Sequence, residues 1–380
     1  MYFKISKKEF YGALSTVARA ISANSPLPLL SGIKIDVKTD ELCLTGSDTD
    51  ISIKKTLRNT EQDTVLDIKE TGSVVIEAKN ILELVRKIDA DEIEIETIDG
   101  TLTKFSWQSA EFKLNGMNVD DYPAIDFSRP EKQFRLDADI LMKIITQTCF
   151  AASDKETRPV LTGVNFKCID DRLECVATDS YRLARKIVTL DEKNDFNITI
   201  PAKSLNEVGK SSNEMSRVFE KAEKILIAVS DKKAQFWIED TVVQTRLIDG
   251  AYPETSRLIP TEFKHELVVD SRDILNAIDR AQFIKSDGIS IVKLSAGKEE
   301  VCISTKSQEV GSSVEKIDMI SYTGSPLDIS FSSRYVLGAI RVLGGSVVKI
   351  SFSGDMRPFI IQNVDDDSVL QLVLPVRTYN

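Results

Sequence analysis

The hydrophobic and polar residues of the chain follow one pattern three times. An alternating apolar segment that begins at Phe3, Phe134 or Leu267 is followed by a polar residue and then by apolar residues at helical spacing. Those helical positions are Phe10, Leu14 and Val17, then Leu141, Ile145 and Thr148, and finally Ile274, Ile278 and Ala281. Because spacing of three and four residues places side chains on one face of a helix, each copy is predicted to begin with a strand and a helix.

A second amphipathic helix is predicted later in each copy, within segments that begin at Ile76, Ile200 and Ser330. The first and third segments carry continuous apolar stripes, which indicate a helix packed on a core. In the middle segment Gly209 interrupts the stripe, so the helix pattern is weakest there.

Short apolar segments separated by turn residues fill the rest of each copy. LPLLSGIKI from Leu27 parallels RPVLTGVNF from Arg158, and LTGSDTDISI from Leu44 parallels CVATDSYRLA from Cys175. Asn-Gly and Asp-Gly pairs and the acidic residues 365–367 are predicted to form turns between antiparallel strands rather than carboxylate sites. The pattern predicts an α+β fold of three repeated domains, residues 1–127, 128–259 and 260–380, each with two helices and about eight strands in antiparallel sheets.

The net charge of −10, from 49 Lys and Arg against 59 Asp and Glu, argues against a simple nucleic-acid-binding protein, because neutralising phosphates needs an excess of basic residues. The charges are unevenly distributed, since the six predicted helix segments together carry about +8 and the rest of the chain about −18. A surface made of the six helices would attract a phosphate backbone while the remainder repelled it. The alternative is that Lys and Arg are simply good helix formers on solvated faces.

Size decides how such a surface could enclose DNA. A domain of about 130 residues has a radius of gyration near 14 Å, so three in a ring leave an opening of about 3 Å radius and six leave about 18 Å. B-DNA, whose major groove is about 8.5 Å deep, passes only the larger opening. A chain that encircles DNA must therefore dimerise, and a head-to-tail contact closes such a ring.

Six segments of the chain resemble the bacterial DNA polymerase III beta subunits, the family of replication sliding clamps. They are RPVLTGV (158–164), ATDSYRLA (177–184), IPAKSLNE (200–207), RLIDGAYP (246–253), RPF (357–359) and LPVR (374–377). The resemblance covers essentially the whole chain. It implies a head-to-tail homodimeric ring of six DNA-clamp domains, with helices inside and sheets outside, that encircles double-stranded DNA without sequence specificity and lets a polymerase synthesise processively. A cytoplasmic protein is expected separately, because MYFKISKKEF at the start has no apolar signal segment.

The resemblance also implies a hydrophobic pocket between the second and third domains. Its partners would be the DNA polymerase III alpha subunit, the clamp loader and other proteins that carry a clamp-binding peptide. By motif, the pocket residues are Leu161, Thr178, Ser180, Tyr181, Arg182, Leu183, Pro260, Met356, Pro358, Leu372, Leu374, Pro375, Val376 and Arg377. Tyr181 stands where many family members have His, which could narrow the pocket, and residues 378–380 extend the tail beyond Arg377.

Two further sets of residues follow from helix position and from the resemblance. The expected DNA-facing residues are Lys79, Arg86, Lys203, Lys210, Arg272, Arg334 and Arg341. The expected dimer contact uses Phe112, Leu114, Phe283 and Ile284, apolar positions that a single chain would leave partly exposed unless they are ordinary core residues. Asn24 stands where many family members have Arg, which removes one expected DNA contact.

Enzyme chemistry finds little support in the sequence. The single histidine, His265, has no second ligand or nucleophile at a useful spacing and is expected on the surface. No catalytic site, metal site or cofactor is predicted, no apolar stretch is long enough to span a membrane, and the five cysteines are expected to be reduced and buried. Two rival hypotheses remain, a peptide-binding scaffold that does not bind DNA and an uncharacterised hydrolase.

Overall fold

The computed structural model describes residues 1–22, 27–58, 66–218, 224–285 and 288–377, and within these ranges the side chains of residues 212–218 are not described. Asn24 and residues 378–380 lie outside the described residues. The elements below are those of the described part of the chain.

The first predicted repeat contains two helices and nine strands. In chain order they are β1 (Tyr2–Ser6), α1 (Lys7–Ala18), β2 (Gly32–Val37), β3 (Glu41–Ser47), β4 (Ile51–Arg58), β5 (Leu66–Glu70), β6 (Gly72–Glu77), α2 (Ala78–Lys87), β7 (Glu92–Asp99), β8 (Leu102–Trp107) and β9 (Ala110–Asn115). The helical stripe predicted from Phe10, Leu14 and Val17 is fully buried, as expected for an amphipathic helix on a core.

The middle repeat contains two helices and six strands. They are β10 (Lys132–Asp137), α3 (Ala138–Thr148), β11 (Gly163–Thr178), β12 (Arg182–Pro201), α4 (Ala202–Val218), β13 (Lys224–Val229), β14 (Lys233–Ile238) and β15 (Thr241–Arg246). The expectation of about eight strands is wrong for this repeat, because β11 and β12 are continuous over 16 and 20 residues where the first repeat has shorter strands.

The third repeat contains two helices and nine strands. They are β16 (His265–Asp270), α5 (Ser271–Ala281), β17 (Ile291–Ala296), β18 (Val301–Ser307), β19 (Gly311–Ile317), β20 (Ser321–Thr323), β21 (Leu327–Ser332), α6 (Ser333–Leu343), β22 (Val347–Phe352), β23 (Phe359–Asn363) and β24 (Asp366–Val373). The Asp270 side chain accepts a hydrogen bond from the Arg272 N–H at 2.8 Å and so caps α5. Gly344, at φ 67°, ends α6 in a conformation that favours glycine.

The chain divides into two compact units, Met1–Asp139 with Asn206–Leu247, and Ile140–Leu205 with Ile248–Asn380. These units divide the chain differently from the borders predicted after residues 127 and 259, which remain predictions. Every strand pair within them is antiparallel, as the turn pattern predicts.

The first unit holds a five-stranded sheet in the order β5-β1-β7-β8-β9 and an eight-stranded sheet in the order β10-β13-β14-β15-β4-β3-β2-β6. The larger sheet joins strands of two repeats where β15 pairs with β4, with Thr245 opposite Ile51. Helix α1 packs on β3, β4 and α2, which buries the apolar face of the helix between the sheet strands and its neighbour.

The second unit holds a seven-stranded sheet in the order β11-β12-β24-β23-β22-β16-β20 and a four-stranded sheet in the order β19-β18-β17-β21. Strands of two repeats again share a sheet, because β12 pairs with β24 and places Arg182 opposite Val373. Helices α5 and α6 pack on each other and on a core that contains Phe331, Phe352 and Phe359.

Two local expectations have clear outcomes. Helix α4 runs over 17 residues and continues through Gly209, so the helix predicted in the middle segment is confirmed. Buried Val208 and Gly209 indicate that packing offsets the cost of about 1 kcal/mol that glycine imposes on a helix. The predicted turn in the acidic run is confirmed at Val364 and Asp365, between β23 and β24, whereas the two following aspartates already belong to β24.

Candidate functional site

A tight turn between β11 and β12 forms the lip of the candidate site. The Asp179 Oδ1 accepts hydrogen bonds from the backbone N–H groups of Tyr181 (2.9 Å) and Arg182 (3.0 Å). Thr178 Oγ1 donates to the Arg182 carbonyl oxygen at 2.5 Å, and Ser180 has a φ of 77°. A non-glycine residue in this left-handed region needs such local support, so the hydrogen bonds hold the turn in one shape.

A cluster of apolar side chains lies beside this turn, and we call it the apolar groove. Its buried members are Val176, Leu183, Ile360, Leu370 and Leu372, and the partly buried Tyr252, Ile259, Phe263 and Leu374 pack against them. The sheet register explains the cluster, because Leu372 lies opposite Leu183 on β12 and opposite Ile360 on β23. Cross-strand neighbours lie on the same face of a sheet.

The C-terminal tail is tied to the protein at two points. The Leu374 N–H donates to the Tyr181 carbonyl oxygen at 3.0 Å, and the Val376 N–H donates to the Ser330 carbonyl oxygen at 2.7 Å. Leu374, Pro375 and Val376 are half-buried and Arg377 is exposed. The two backbone hydrogen bonds place the tail next to the lip of the apolar groove.

Stacked rings form a wall at the lip. The rings of Tyr181 and Tyr335 are stacked with centroids 6.3 Å apart. The Arg182 guanidinium lies 5.0 Å from the Tyr335 ring and 5.1 Å from the Phe150 ring, while its Nε donates to Asp179 Oδ2 at 3.0 Å. Arg182 is 8% exposed and Tyr181 is 60% exposed. Arg182 therefore packs against the rings from the protein side, and the Tyr181 ring is accessible to a ligand.

Burial also shapes the acid–base properties of the site. Burial raises the pKa of the Tyr252 hydroxyl well above its ordinary value, and its oxygen accepts the Thr178 N–H at 3.0 Å. Burial opposes ionisation of Asp366, but hydrogen bonds from Ser368 and Lys186 hold the pKa of this carboxyl below its usual range. Lys186 and Asp366 therefore form an ion pair, at 3.2 Å, that links β12 to β24.

The structure brings together some of the predicted pocket residues and adds others. Leu183, Leu372 and Leu374 belong to the apolar groove, whereas Leu161 and Thr178 are buried beneath the surface. Half-buried Pro260 follows Ile259, half-buried Pro358 precedes β23, and Met356 is 45% exposed. The groove residues absent from the prediction are Val176, Tyr252, Ile259, Phe263, Ile360 and Leu370. Alternation along β11, β23 and β24 is the sequence signal that could have identified the strand positions among them.

All seven predicted DNA-facing residues are exposed side chains on helices. They are Lys79 and Arg86 on α2, Lys203 and Lys210 on α4, Arg272 on α5, and Arg334 and Arg341 on α6. Three of them form ion pairs, Lys210 with Glu207 at 2.6 Å, Arg334 with Asp154 at 3.6 Å and Arg341 with Asp279 at 2.9 Å. Within the described ranges, no carboxylate lies at ion-pair distance from the other four, which leaves these charges free to attract an anion.

Three of the four predicted dimer-contact residues are at least partly exposed. Phe112 is 51% exposed on β9 and stacks on Trp107 with centroids 5.3 Å apart, Leu114 is partly exposed, and Phe283 is 68% exposed. The expected exposure of Ile284 is wrong, because this side chain is 4% exposed and belongs to the interior beside the end of α5. Strands β9 and β19 are end strands of their sheets, and Val314 on β19 is 76% exposed.

The single histidine and the five cysteines are the residues to examine for catalytic or metal-binding chemistry. The expectation of a surface position for His265 is wrong, because it is 8% exposed and its Nδ1 lies 3.0 Å from the Ser325 carbonyl oxygen. The five cysteines are free thiols, four buried and Cys302 partly buried. Among the described residues no group of three His, Cys, Asp or Glu side chains could hold a metal ion, and none of the described helices is long and apolar enough to span a bilayer.

Comparison with known proteins relates this arrangement to one family. Three consecutive parts of the chain match the DNA polymerase III beta subunit: its N-terminal domain over residues 1–126, its central domain over 135–254 and its C-terminal domain over 256–377. The beta sliding clamp of Bacillus subtilis is 39% identical over 384 residues, with all of both chains covered. Crystal structures of the B. subtilis DNA polymerase sliding clamp (39% identity, full coverage of both chains) and of the DNA polymerase III beta chain of Streptococcus pneumoniae (34% identity, covering 99% of this chain and 100% of that one) match with TM-scores of 0.95 and 0.93.

Proposed function

Because the chain belongs to the DNA polymerase III beta subunit family and is a DNA sliding clamp with no catalytic site of its own, we propose that two copies close head to tail into a ring around double-stranded DNA. Each chain would contribute three clamp domains with the predicted borders, and the ring would work in the cytoplasm. Topology would then hold a polymerase on its template, because a tether raises the effective concentration of the polymerase at the primer end.

The exposed cations on the helices are the observation that carries the DNA-binding part of this proposal. Lys79, Arg86, Lys203 and Arg272 project from helices without a carboxylate at ion-pair distance among the described residues, in a chain whose net charge is −10. Helices that line the opening would attract phosphates while the acidic remainder of the chain repelled them. Such contacts read no base edges, which fits sliding without sequence specificity.

The end strands support the proposed dimer. The outer edges of β9 and β19 have no neighbouring strand among the described residues, and exposed Phe112 and Val314 lie on them. An exposed apolar edge strand is a template for pairing with another chain. We therefore propose that β9 of one chain pairs with β19 of its partner, with Phe112, Leu114 and Phe283 at the contact and Ile284 supporting it from inside.

The apolar groove supports the capture of a partner peptide from the polymerase III alpha subunit, the clamp loader or other clamp-binding proteins. Two apolar side chains buried in the groove would contribute about 3–6 kcal/mol, whereas micromolar affinity requires about 8 kcal/mol. The remainder would come from polar contacts at the lip and the tail, where Tyr181 and Arg377 are exposed. A clamp of Bartonella birtlesii, 26% identical to this chain, has been crystallised with bound griselimycin, and competition of this compound with the peptide can be tested in a peptide-binding assay.

Topological binding can be tested by changing only the DNA ends. The protein, loaded by its cognate clamp loader onto a nicked circular plasmid, is expected to remain with the DNA through gel filtration and to be lost after one restriction cut. Equal retention on circular and linear DNA would contradict encirclement. A plasmid cut and then blocked at both ends by bound protein is the matched control, and it should restore retention.

A further inference from the structure

The first compact unit contains a second copy of the lip turn. Asp48 Oδ1 accepts hydrogen bonds from the N–H groups of Asp50 (3.1 Å) and Ile51 (2.9 Å), as Asp179 does in its own turn. Ser47 Oγ donates to the Ile51 carbonyl oxygen at 3.1 Å, and Thr49 has a φ of 86°. The turns at residues 47–51 and 178–182 therefore share their hydrogen bonds and their backbone conformation.

The strand pairing next to the two turns is also the same. Thr245 lies opposite Ile51 as Val373 lies opposite Arg182, and the Arg246 N–H donates to the Asp50 carbonyl oxygen at 2.8 Å. Each strand residue of the apolar groove thus has a counterpart on what we call the first face. The groove residues Val176, Leu183, Ile360, Leu370, Leu372 and Leu374 correspond to Thr45, Ser52, Gln235, Val242, Gln244 and Arg246.

A stretch of the chain itself covers this first face, and we call residues 126–129 the linker segment. Lys233 Nζ donates to the Asp126 carbonyl oxygen at 2.8 Å, and Gln235 Nε2 donates to the Ser128 carbonyl oxygen at 3.0 Å. The Arg129 guanidinium lies 4.0 Å from the Trp237 ring centroid. The first face therefore binds a segment without regular secondary structure through its backbone carbonyls and its side chains.

One cation of the first face also contacts the linker segment. Lys54 Nζ lies 5.1 Å from the centroid of the Phe127 ring. In the strand register Lys54 is opposite Thr45 and Val242. The residue with the same register in the second unit is Arg185, which lies opposite Val176 and Leu370 of the apolar groove.

Lys54 gains a contact with the Phe127 ring, whereas Arg185 has a hydrogen-bond donor that no described residue satisfies. It is partly buried between groove residues, and its buried Nε has no hydrogen-bond partner among the described residues. Burial lowers the pKa of this guanidinium from its ordinary value, as expected for a cation that has lost water without gaining a full set of acceptors. An unsatisfied buried donor is costly, so a ligand that supplies an acceptor oxygen would gain from binding here.

We propose that Arg185 is a polar anchor of the apolar groove, and that its guanidinium binds an acceptor oxygen of the partner peptide while apolar peptide side chains pack on Leu183 and Leu372. This inference rests on the proposed peptide-binding function. The acceptor is either a backbone carbonyl or a side-chain carboxylate, which share the chemistry of a hydrogen-bond-accepting oxygen.

The test compares Arg185→Met with Lys54→Met, its matched control on the first face. The full-length protein is titrated against a fluorescein-labelled peptide from the clamp-binding segment of the polymerase III alpha subunit, and fluorescence anisotropy reports Kd. We expect R185M to weaken binding about tenfold or more, the usual effect of losing a hydrogen bond to a charged group, and K54M to stay within about twofold of the wild type. Arg185→Lys should recover part of the lost affinity, because it keeps the charge. If R185M does not fold, Arg185→Lys replaces it as the test variant.

Further variants separate the possible outcomes. If Leu374→Asp abolishes binding but R185M and R185K bind like the wild type, the anchor is wrong and the groove stands. If Leu374→Asp also binds like the wild type, the proposed groove itself is wrong. Peptides in which each acidic residue is changed to its amide identify the acceptor. If the acceptor is a carboxylate, the amide peptide loses affinity for the wild type, and R185M causes no further loss. If the acceptor is a backbone carbonyl, the amide peptide keeps its affinity for the wild type, and R185M causes the full loss.

Discussion

Leu374 donates its backbone N–H to the carbonyl oxygen of Tyr181 at 3.0 Å, which joins the C-terminal tail to the turn that forms the lip of the apolar groove. The hydrogen bond continues the pairing of β24 with β12, in which Val373 lies opposite Arg182. Tail and lip are therefore one structural element, and a change in either should alter peptide binding.

Deletion of residues 374–380 should abolish peptide binding and leave the dimer intact. The deletion removes Leu374 from the groove and both tail hydrogen bonds, while the proposed dimer contact lies on β9 and β19. Anisotropy with the labelled alpha-subunit peptide measures the first effect and sedimentation equilibrium the second. Deletion of residues 378–380 alone is the control. Retained affinity in the longer deletion would place the peptide site elsewhere.

The change Asp179→Ala should lower both stability and peptide affinity. It removes two backbone hydrogen bonds and the bond to the Arg182 side chain, so the free energy of unfolding should fall by about 2–3 kcal/mol. Asp48→Ala removes the two equivalent backbone hydrogen bonds in the turn of the first unit and serves as the control for peptide binding. Urea unfolding and anisotropy measure the two effects; equal loss of peptide affinity in both variants would show that the lip has no specific role.

The double change Lys79→Ala with Arg86→Ala should weaken DNA contacts in a salt-dependent way. Each phosphate contact that is lost should reduce the slope of log K against log salt concentration by about 0.9. A salt titration of binding to a short duplex measures the slope. The control is Lys298→Ala, because Lys298 is exposed in the turn between β17 and β18. An unchanged slope in the double variant would remove α2 from the DNA-facing surface.

The change Phe112→Asp should dissociate the proposed dimer. A carboxylate on the free edge of β9 would have to be desolvated at the contact, which opposes association. Sedimentation equilibrium should show at least about a hundredfold weaker dimer, a loss of about 2.8 kcal/mol. Ile169→Asp changes another exposed apolar residue, on β11, and should leave the dimer unchanged. If both variants dimerise like the wild type, Phe112 is not at the contact.

The linker segment should loosen in acid. Hydrogen bonds from the Ser128 side chain and backbone, with help from Lys233, lower the pKa of Asp126 to about 2. Because the folded pKa lies below the unfolded value of about 3.9, the stabilisation is present above pH 4 and is lost as the pH falls towards 2. Asp126→Asn should be less stable than the wild type at pH 5, and urea unfolding should show this difference shrinking between about pH 4 and pH 2. A difference that does not change with pH would exclude the carboxylate as its source.

The sequence by itself was sufficient for the features that depend on local spacing. Phe10, Leu14 and Val17 recur every three or four residues, and this period places them on one helix face whatever the rest of the chain does. The repeat predicted the helices in all three copies, and the strand and turn pattern predicted antiparallel sheets. The family resemblance supplied Leu183, Leu372 and Leu374 of the groove together with the clamp function.

Only the tertiary structure decided which distant residues meet and which side chains lose contact with water. Val176, Ile360 and Leu370 join the groove because β12, β23 and β24 share one sheet across two repeats, and His265 and Ile284 are buried where local sequence suggested exposure. Gly209 continues a helix that its local preference would weaken. Burial and cross-strand pairing depend on strands far apart in the sequence, and the spacing of neighbouring residues carries no information about that pairing.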